Sequence, residues 1–238
     1  MKIVVLAGGI STERDVSLVT GRGVYNALKS NGHKVILLDV FLGIEGDVKD
    51  IFDRDEDWAA KVAPVSEKAP NIKEVISSRN QDPKEFFGPN VLNICKEADI
   101  VFMGLHGDCG ENGKVQAAFD LLDIKYTGTD YLSSALAMDK GITKQMFLAY
   151  GVSTPKSILL EKRNDDYQPD FPCVVKICNG GSSVGVFIVN NKDEYEKAYK
   201  AYVSAIASGD QAKAQNCLKT FRSAKAAYEL ALRSCSKG

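Results

Sequence analysis

The sequence predicts an α/β fold built on an open, mostly parallel sheet, and three observations carry that expectation. Ile3 to Ala7 is a continuous apolar, β-rich run ending on Gly8-Gly9, the composition of a strand buried on both faces. Val16, Val19, Val24 and Leu28 then recur at helical spacing, with Ser11 available as a cap and Asn31-Gly32 as a stop. Val35 to Val40 is a second apolar strand. Strand, helix and strand in that order form a right-handed crossover, which sets the two strands in parallel.

The remaining elements follow in order. Residues 43 to 90 are polar and mixed, carry Pro64, Pro70, Pro83 and Pro89, and read as an insertion with helix near Ile72 to Ser78. Ala98 to Met103 is a third strand, followed by the loop Gly104-Leu105-His106-Gly107. Val115 to Leu122 reads as a helix, Ile124-Lys125-Tyr126 as a short strand, and Leu132 to Tyr150 as helical. Phe171 to Ile177 and Val184 to Val189 are strands joined through Asn179-Gly180-Gly181-Ser182-Ser183, a hairpin rather than a strand-to-helix phosphate loop. After Asn191, Tyr195, Tyr199, Tyr202, Val203 and Ile206 share one helical stripe. Ser208-Gly209-Asp210 breaks it, and Leu218, Phe221, Tyr228 and Leu232 form a second, the pattern of an αα-hairpin. Thr127-Gly128-Thr129 marks a boundary, giving three expected parts: residues 1–127, 128–190 and a helical tail at 191–238.

Composition narrows the function classes. Hydrophobic residues make up 45% and charged residues 26% of the 238, as in ordinary globular proteins, and the net charge of -1 gives no basic field for nucleic acid or an anionic membrane. No apolar run approaches bilayer length. The short apolar N-terminus runs at once into Glu13, Arg14 and Asp15, so it reads as a strand and not as a targeting segment. Cys95, Cys109, Cys173, Cys178, Cys217 and Cys235 lack C-x-x-C spacing, and His33 and His106 are the only imidazoles, so no zinc site is expected. Free thiols in a reducing cytoplasm fit that pattern.

Neither the dinucleotide fingerprint nor the P-loop pattern follows the first strand. Glu13 follows it instead, and a carboxylate at the carboxyl edge of a parallel sheet suits a substrate ammonium group. Taken alone, Glu13 reads equally well as a partner of the helix N-terminus. His106 taken alone reads as a structural histidine, Lys140 and Lys176 as snorkelling surface lysines, and Cys109 as passive.

Four stretches in one order change that balance. Gly8 to Leu18, Gly104 to Gln116, Tyr126-Thr127-Gly128 running through Ser133 to Lys140 and on to Thr143-Lys144, and Val175-Lys176 with Gly181 to Gly185 together resemble D-alanine:D-alanine ligases of the ATP-grasp class. The resemblance covers about residues 1–190. It implies a first domain that binds substrate, followed by a partial ATP-grasp central domain. It implies ATP-dependent joining of two D-alanines through an acyl phosphate, for peptidoglycan synthesis, with magnesium as the expected metal. Glu13 would hold the ammonium of the first D-alanine, Ser182 would join Glu13 in positioning it, and His106 would lie near the bound D-alanines. Lys140 and Lys176 would contact ATP phosphates beneath the Gly180, Gly181, Ser182 and Ser183 turn. A ligase using D-lactate or D-serine as second substrate is the related reading.

The segment after Asn191 lacks a recognisable acidic set for magnesium and does not resemble the family's β-rich remainder, so the activity of this shortened chain is in question. Three readings follow from that: a non-catalytic remnant, a helical replacement that packs on the core or forms a homodimer as an assembly module, or a second chain that supplies the missing part.

Overall fold

The computed structural model describes residues 1–66, 69–79, 82, 84–108, 110–159, 169–179 and 186–208. The chain divides into two compact units, Met1–Met138 and Asp139–Gly238.

The first unit is built on β1 (Lys2–Ala7), which lies between β2 (Lys34–Asp39) and a later strand, β3 (Ile100–Met103), parallel to both. Alternation along β1 explains its apolar run. Val4 and Leu6 point into a core with Ile36, Leu38, Val101 and Phe119, whereas Ile3, Val5 and Ala7 meet Tyr25, Val35 and Leu37 on the other face. Each Val, Leu, Ile or Phe side chain among them that is taken out of water stabilises the fold by about 1.5–3 kcal/mol. Beyond β3 the expected strand at Ile124 to Tyr126 is a single parallel bridge, Val101 to Tyr126.

One face of the sheet is covered by α1 (Arg14–Ser30) and by Trp58, Ala59 and Val62 from the insertion. The other is covered by α3 (Val91–Glu97) and α4 (Lys114–Leu121), with Phe52 and Phe87 alongside. Within the insertion the expected helix is α2 (Ile72–Ser77), and Ile51–Asp53 forms a 3-10 turn. α5 (Tyr131–Met138) lies against α4.

Three elements depart from the sequence reading. The helical stretch at Leu132 to Tyr150 is two helices, α5 and α6 (Lys140–Ala149). Asp139 separates them: its backbone is extended and its carboxylate accepts from the N–H groups of Gly141 and Ile142, capping α6. α3 was not foreseen; its seven residues bury Val91, Ile94 and Cys95. Ser11 is not the N-cap of α1, because Glu13 holds that position; the Ser11 hydroxyl accepts from Glu13 N–H at 3.2 Å and donates to the loop after β3.

The apolar stripe of α1 meets the core only in part: Val24 and Leu28 pack against it half-buried, while Val16 is exposed. The fully buried residues of α1 are Arg14, Ser17, Gly21 and Tyr25. Gly21 explains the close packing. A Cβ there would stand 2.8 Å from both Ala7 Cβ and Leu37 Cδ1, whereas Gly23, two residues on, faces open space. Both glycines have ordinary helical backbone, so they make a matched pair. Gly23→Ala is expected to raise stability by about 0.5–1 kcal/mol through helix propensity. Gly21→Ala is expected to lose that gain to overpacking of about 1–3 kcal/mol. Thermal melts of the two variants check this, and equal stabilisation by both would refute the close-packing account.

The second unit contains α6, the antiparallel hairpin of β4 (Cys173–Lys176) and β5 (Val186–Val189), and α7 (Lys192–Ser208). Phe187 and Val189 on β5 face Tyr195 and Ala198 on α7, with Cys173 and Val175 alongside. By alternation Val174 and Lys176 take the opposite face of the hairpin. The second stripe of the expected αα-hairpin, Leu218 to Leu232, lies outside the described residues.

Candidate functional site

β1 leads through α1 to β2 on one side, and the chain then returns to β3 on the other side of β1. A reversal of that kind leaves a crevice at the carboxyl ends of the strands. Two glycines open it: Gly8 and Gly9 both have positive φ, and a Cβ on Gly8 would lie 2.3 Å from Asp39 Oδ2.

The strand ends are joined by a buried polar network. Arg14 donates to the Gly9 carbonyl at 2.6 Å and pairs with Asp39 Oδ2 at 2.5 Å. Asp39 Oδ1 accepts from the backbone N–H groups of Phe41 at 2.9 Å, Leu42 at 3.1 Å and Gly9 at 3.3 Å. The Ser17 hydroxyl accepts from Gly8 N–H at 2.9 Å and donates to the Gly104 carbonyl at 2.7 Å. Every polar group in this list has a partner, as burial requires.

On this frame the structure brings Glu13 and His106 together. Ser11 Oγ donates to the His106 carbonyl at 2.7 Å, which holds the loop after β3 against the start of α1. Gly107, at φ 77°, passes so close that a Cβ would lie 2.9 Å from Glu13 Oε2. The His106 ring lies between Thr20, 3.2 Å from Nε2, and Glu111, 3.7 Å from Nδ1. The Glu13 carboxylate makes no capping hydrogen bond, so it is not spent on the helix N-terminus. Burial, and then the negative charge of Glu111, push its carboxyl above the ordinary carboxylate range, while His106 draws it partly back. A half-buried carboxylate with a second one nearby suits a small cation such as an ammonium group.

The two lysines singled out in the sequence both belong to the second unit. Asp139 bridges to Asn179, and Lys140 N–H donates to the Cys178 carbonyl at 3.1 Å. Lys140 Nζ reaches the same carbonyl at 3.3 Å. The start of α6 is thereby fixed beside the end of β4, where Lys176 is exposed on the face away from α7. Gly180, Gly181, Ser182 and Ser183 lie outside the described residues, as does Cys109. Cys95, Cys173 and Cys178 are free thiols, and burial pushes the Cys95 thiol up to about 12.

Thr20, Glu111, Ser17, Arg14 and Asp39 were not singled out in the sequence. Spacing carried part of the signal: Glu13, Ser17 and Thr20 stand at i, i+4 and i+7, one helix face. Asp39 carried none, since its role depends on the parallel pairing that sets it beside the Gly8-Gly9 turn. Among the described residues no helix is long and apolar enough to cross a membrane.

Comparison with known proteins agrees with this geometry. A family profile described as D-ala D-ala ligase N-terminus matches residues 2–129, and one described as D-ala D-ala ligase C-terminus matches residues 142–207. The second match runs on through α7, past Asn191, where the resemblance read from the motifs stops. The D-alanine--D-alanine ligase of Lacticaseibacillus casei is 44% identical over 202 residues, covering 82% of this chain and 56% of that protein. The enzyme of Pediococcus pentosaceus is 42% identical, covering 84% and 58%. Among solved structures, the Bacillus anthracis D-alanine--D-alanine ligase aligns with a TM-score of 0.56 at 30% identity, covering 84% of this chain and 53% of that one. The same ligase complexed with ATP aligns at 0.55 and 27%, covering 84% and 54%. The chain thus spans little more than half the length of these relatives. With both halves of the sheet-and-hairpin arrangement matched in order, the chain belongs to the D-alanine:D-alanine ligase family.

Proposed function

We propose that this chain carries the amino-acid pocket and part of the phosphate-binding machinery of an ATP-dependent D-alanine:D-alanine ligase. In the reaction a D-alanine carboxylate oxygen attacks the γ-phosphoryl group of ATP, ADP leaves, and an acyl phosphate forms. The amine of a second D-alanine then attacks the acyl carbon and phosphate departs, leaving the dipeptide used in peptidoglycan. Such a reaction draws on cytoplasmic ATP.

The observation that carries this reading is the Glu13, His106 and Glu111 cluster at the carboxyl end of the parallel sheet. Glu13 holds the ammonium of the first D-alanine, and His106, kept in place by Thr20 and Ser11, lies beside it. Lys140 and Lys176 offset phosphate charge, and Ser182 with the surrounding turn completes the cover. Positive charge gathered where the phosphoryl group moves lowers the barrier without reorganisation. Among the described residues no group of three or more His, Cys, Asp or Glu stands together to hold a metal ion.

The test is a calorimetric titration of the 238-residue chain with D-alanine and, separately, L-alanine. Saturable binding of the D-isomer alone is expected. No saturable D-alanine binding by a folded chain would overturn the assignment of the pocket.

A further inference from the structure

The loop that carries His106 and Glu111 is held from two sides. On the His106 side the hold is Ser11, as described above. On the Glu111 side it is Gln116, which lies on α4 with 6% of its surface exposed. Its carboxamide Nε2 donates to the Gly110 carbonyl at 2.8 Å, one residue before Glu111. Gly110 sits hard against the core, since a Cβ there would lie 2.4 Å from Leu105 Cβ. Glu111 N–H in turn donates to the Gly107 carbonyl at 3.0 Å, closing the loop back toward Glu13.

Gln116 has a second property. Its Oε1 is buried and accepts from no donor among the described residues. A buried carboxamide satisfied on one side only opposes stability. Methionine has nearly the same length and no acceptor to strand. For core packing alone an apolar residue of that size serves better, so the amide is explained by its donor: the hydrogen bond that sets the Gly110 carbonyl, and with it the direction in which Glu111 leaves the loop.

We propose that Gln116 is a positioning residue for the amino-acid pocket. It acts through the Gly110 carbonyl to place the Glu111 carboxylate against His106 and within reach of Glu13. The proposal rests on the reading of that cluster as the D-alanine pocket, but its first test needs no ligand.

The sequence has two histidines, so His33 serves as an internal reference. In Gln116→Met, NMR of the free 238-residue chain should show the His106 ring resonances displaced and those of His33 unmoved. The melting temperature should stay level or rise, and the D-alanine Kd should increase about fivefold or more. The opposite pattern, with a lowered melting temperature and an unchanged His106 ring and Kd, would make Gln116 a packing residue and overturn the proposal. Should Gln116→Met fail to fold, Glu111→Gln gives the test in reverse, because Glu111 is largely solvent-facing. The Gln116 side-chain amide resonances should then move, and if they stay fixed the link between the two residues does not exist. If native chain binds no D-alanine while the His106 ring still responds to Gln116→Met, the pocket assignment fails and the positioning role stands.

Discussion

Replacing Asp39 by alanine is expected to lower stability by about 3–5 kcal/mol, the cost of removing one member of a buried ion pair and leaving the other uncompensated. Arg14 and Asp39 keep only 9% and 14% of their side-chain surfaces exposed. The loss would extend beyond the pair, because Asp39 Oδ1 also accepts from the N–H groups of Gly9, Phe41 and Leu42. At roughly 2–4 °C per kcal/mol for a chain of this size, the melting temperature should fall by about 6–20 °C. The double variant Arg14→Met, Asp39→Leu separates the charge effect from the rest, since an apolar pair removes the stranded guanidinium. It should recover part of the loss. A melting temperature for Asp39→Ala within 3 °C of native would show that the network does not hold the strand ends together.

Glu13→Gln should lose recognition and keep, or gain, stability. The Glu13 carboxyl is raised by burial first and by Glu111 second, so the fold disfavours its ionised form. The sign follows: the contribution to stability is full below the unfolded value near 4.5 and is lost as pH rises through the higher folded value. At neutral pH the native chain therefore bears an ionised carboxylate in a place that disfavours it, and glutamine relieves this. The variant's melting temperature should equal or exceed that of native at pH 7, with the difference vanishing below about pH 4. D-alanine affinity should fall about 10- to 150-fold, the range for a charge-assisted hydrogen bond of roughly 1.5–3 kcal/mol. In the native chain affinity should rise with pH through the raised Glu13 value, because only the carboxylate attracts the ammonium. Calorimetry across pH reads both effects. A variant that binds as tightly as native would remove Glu13 from the pocket.

The parallel sheet was legible because β1 and β2 are buried on both faces, which writes an unbroken apolar run into the sequence. The packing of α1 was legible only in part. An apolar count finds Val24 and Leu28, which pack against the core, but it includes the exposed Val16 and passes over Arg14, Ser17 and Gly21, which are buried for hydrogen bonding and for thinness. α3 escaped for another reason. Seven residues after the left-handed Asn90 give barely two turns, too short for periodicity to stand out. The break at Asp139 was written as a capping aspartate between two runs of good helix formers, and only the bridge to Asn179 shows why the chain stops there. Motif order gave Glu13, His106, Lys140 and Lys176. It gave no partner for the imidazole, since Thr20 and Glu111 reach it only through the register of β1 with β3.

The thin face of α1 couples parts of the molecule that sequence position keeps apart. Glu13, Ser17 and Thr20 are carried by the same helix that Gly21 allows to rest on Ala7 and Leu37. A larger side chain at position 21 acts as a wedge under a lever, lifting all three from the crevice in one movement. A saturation screen scored by D-alanine recognition would therefore rank position 21 beside the residues that touch the ligand. Its sensitivity map would trace the mechanical support of the pocket as well as its lining.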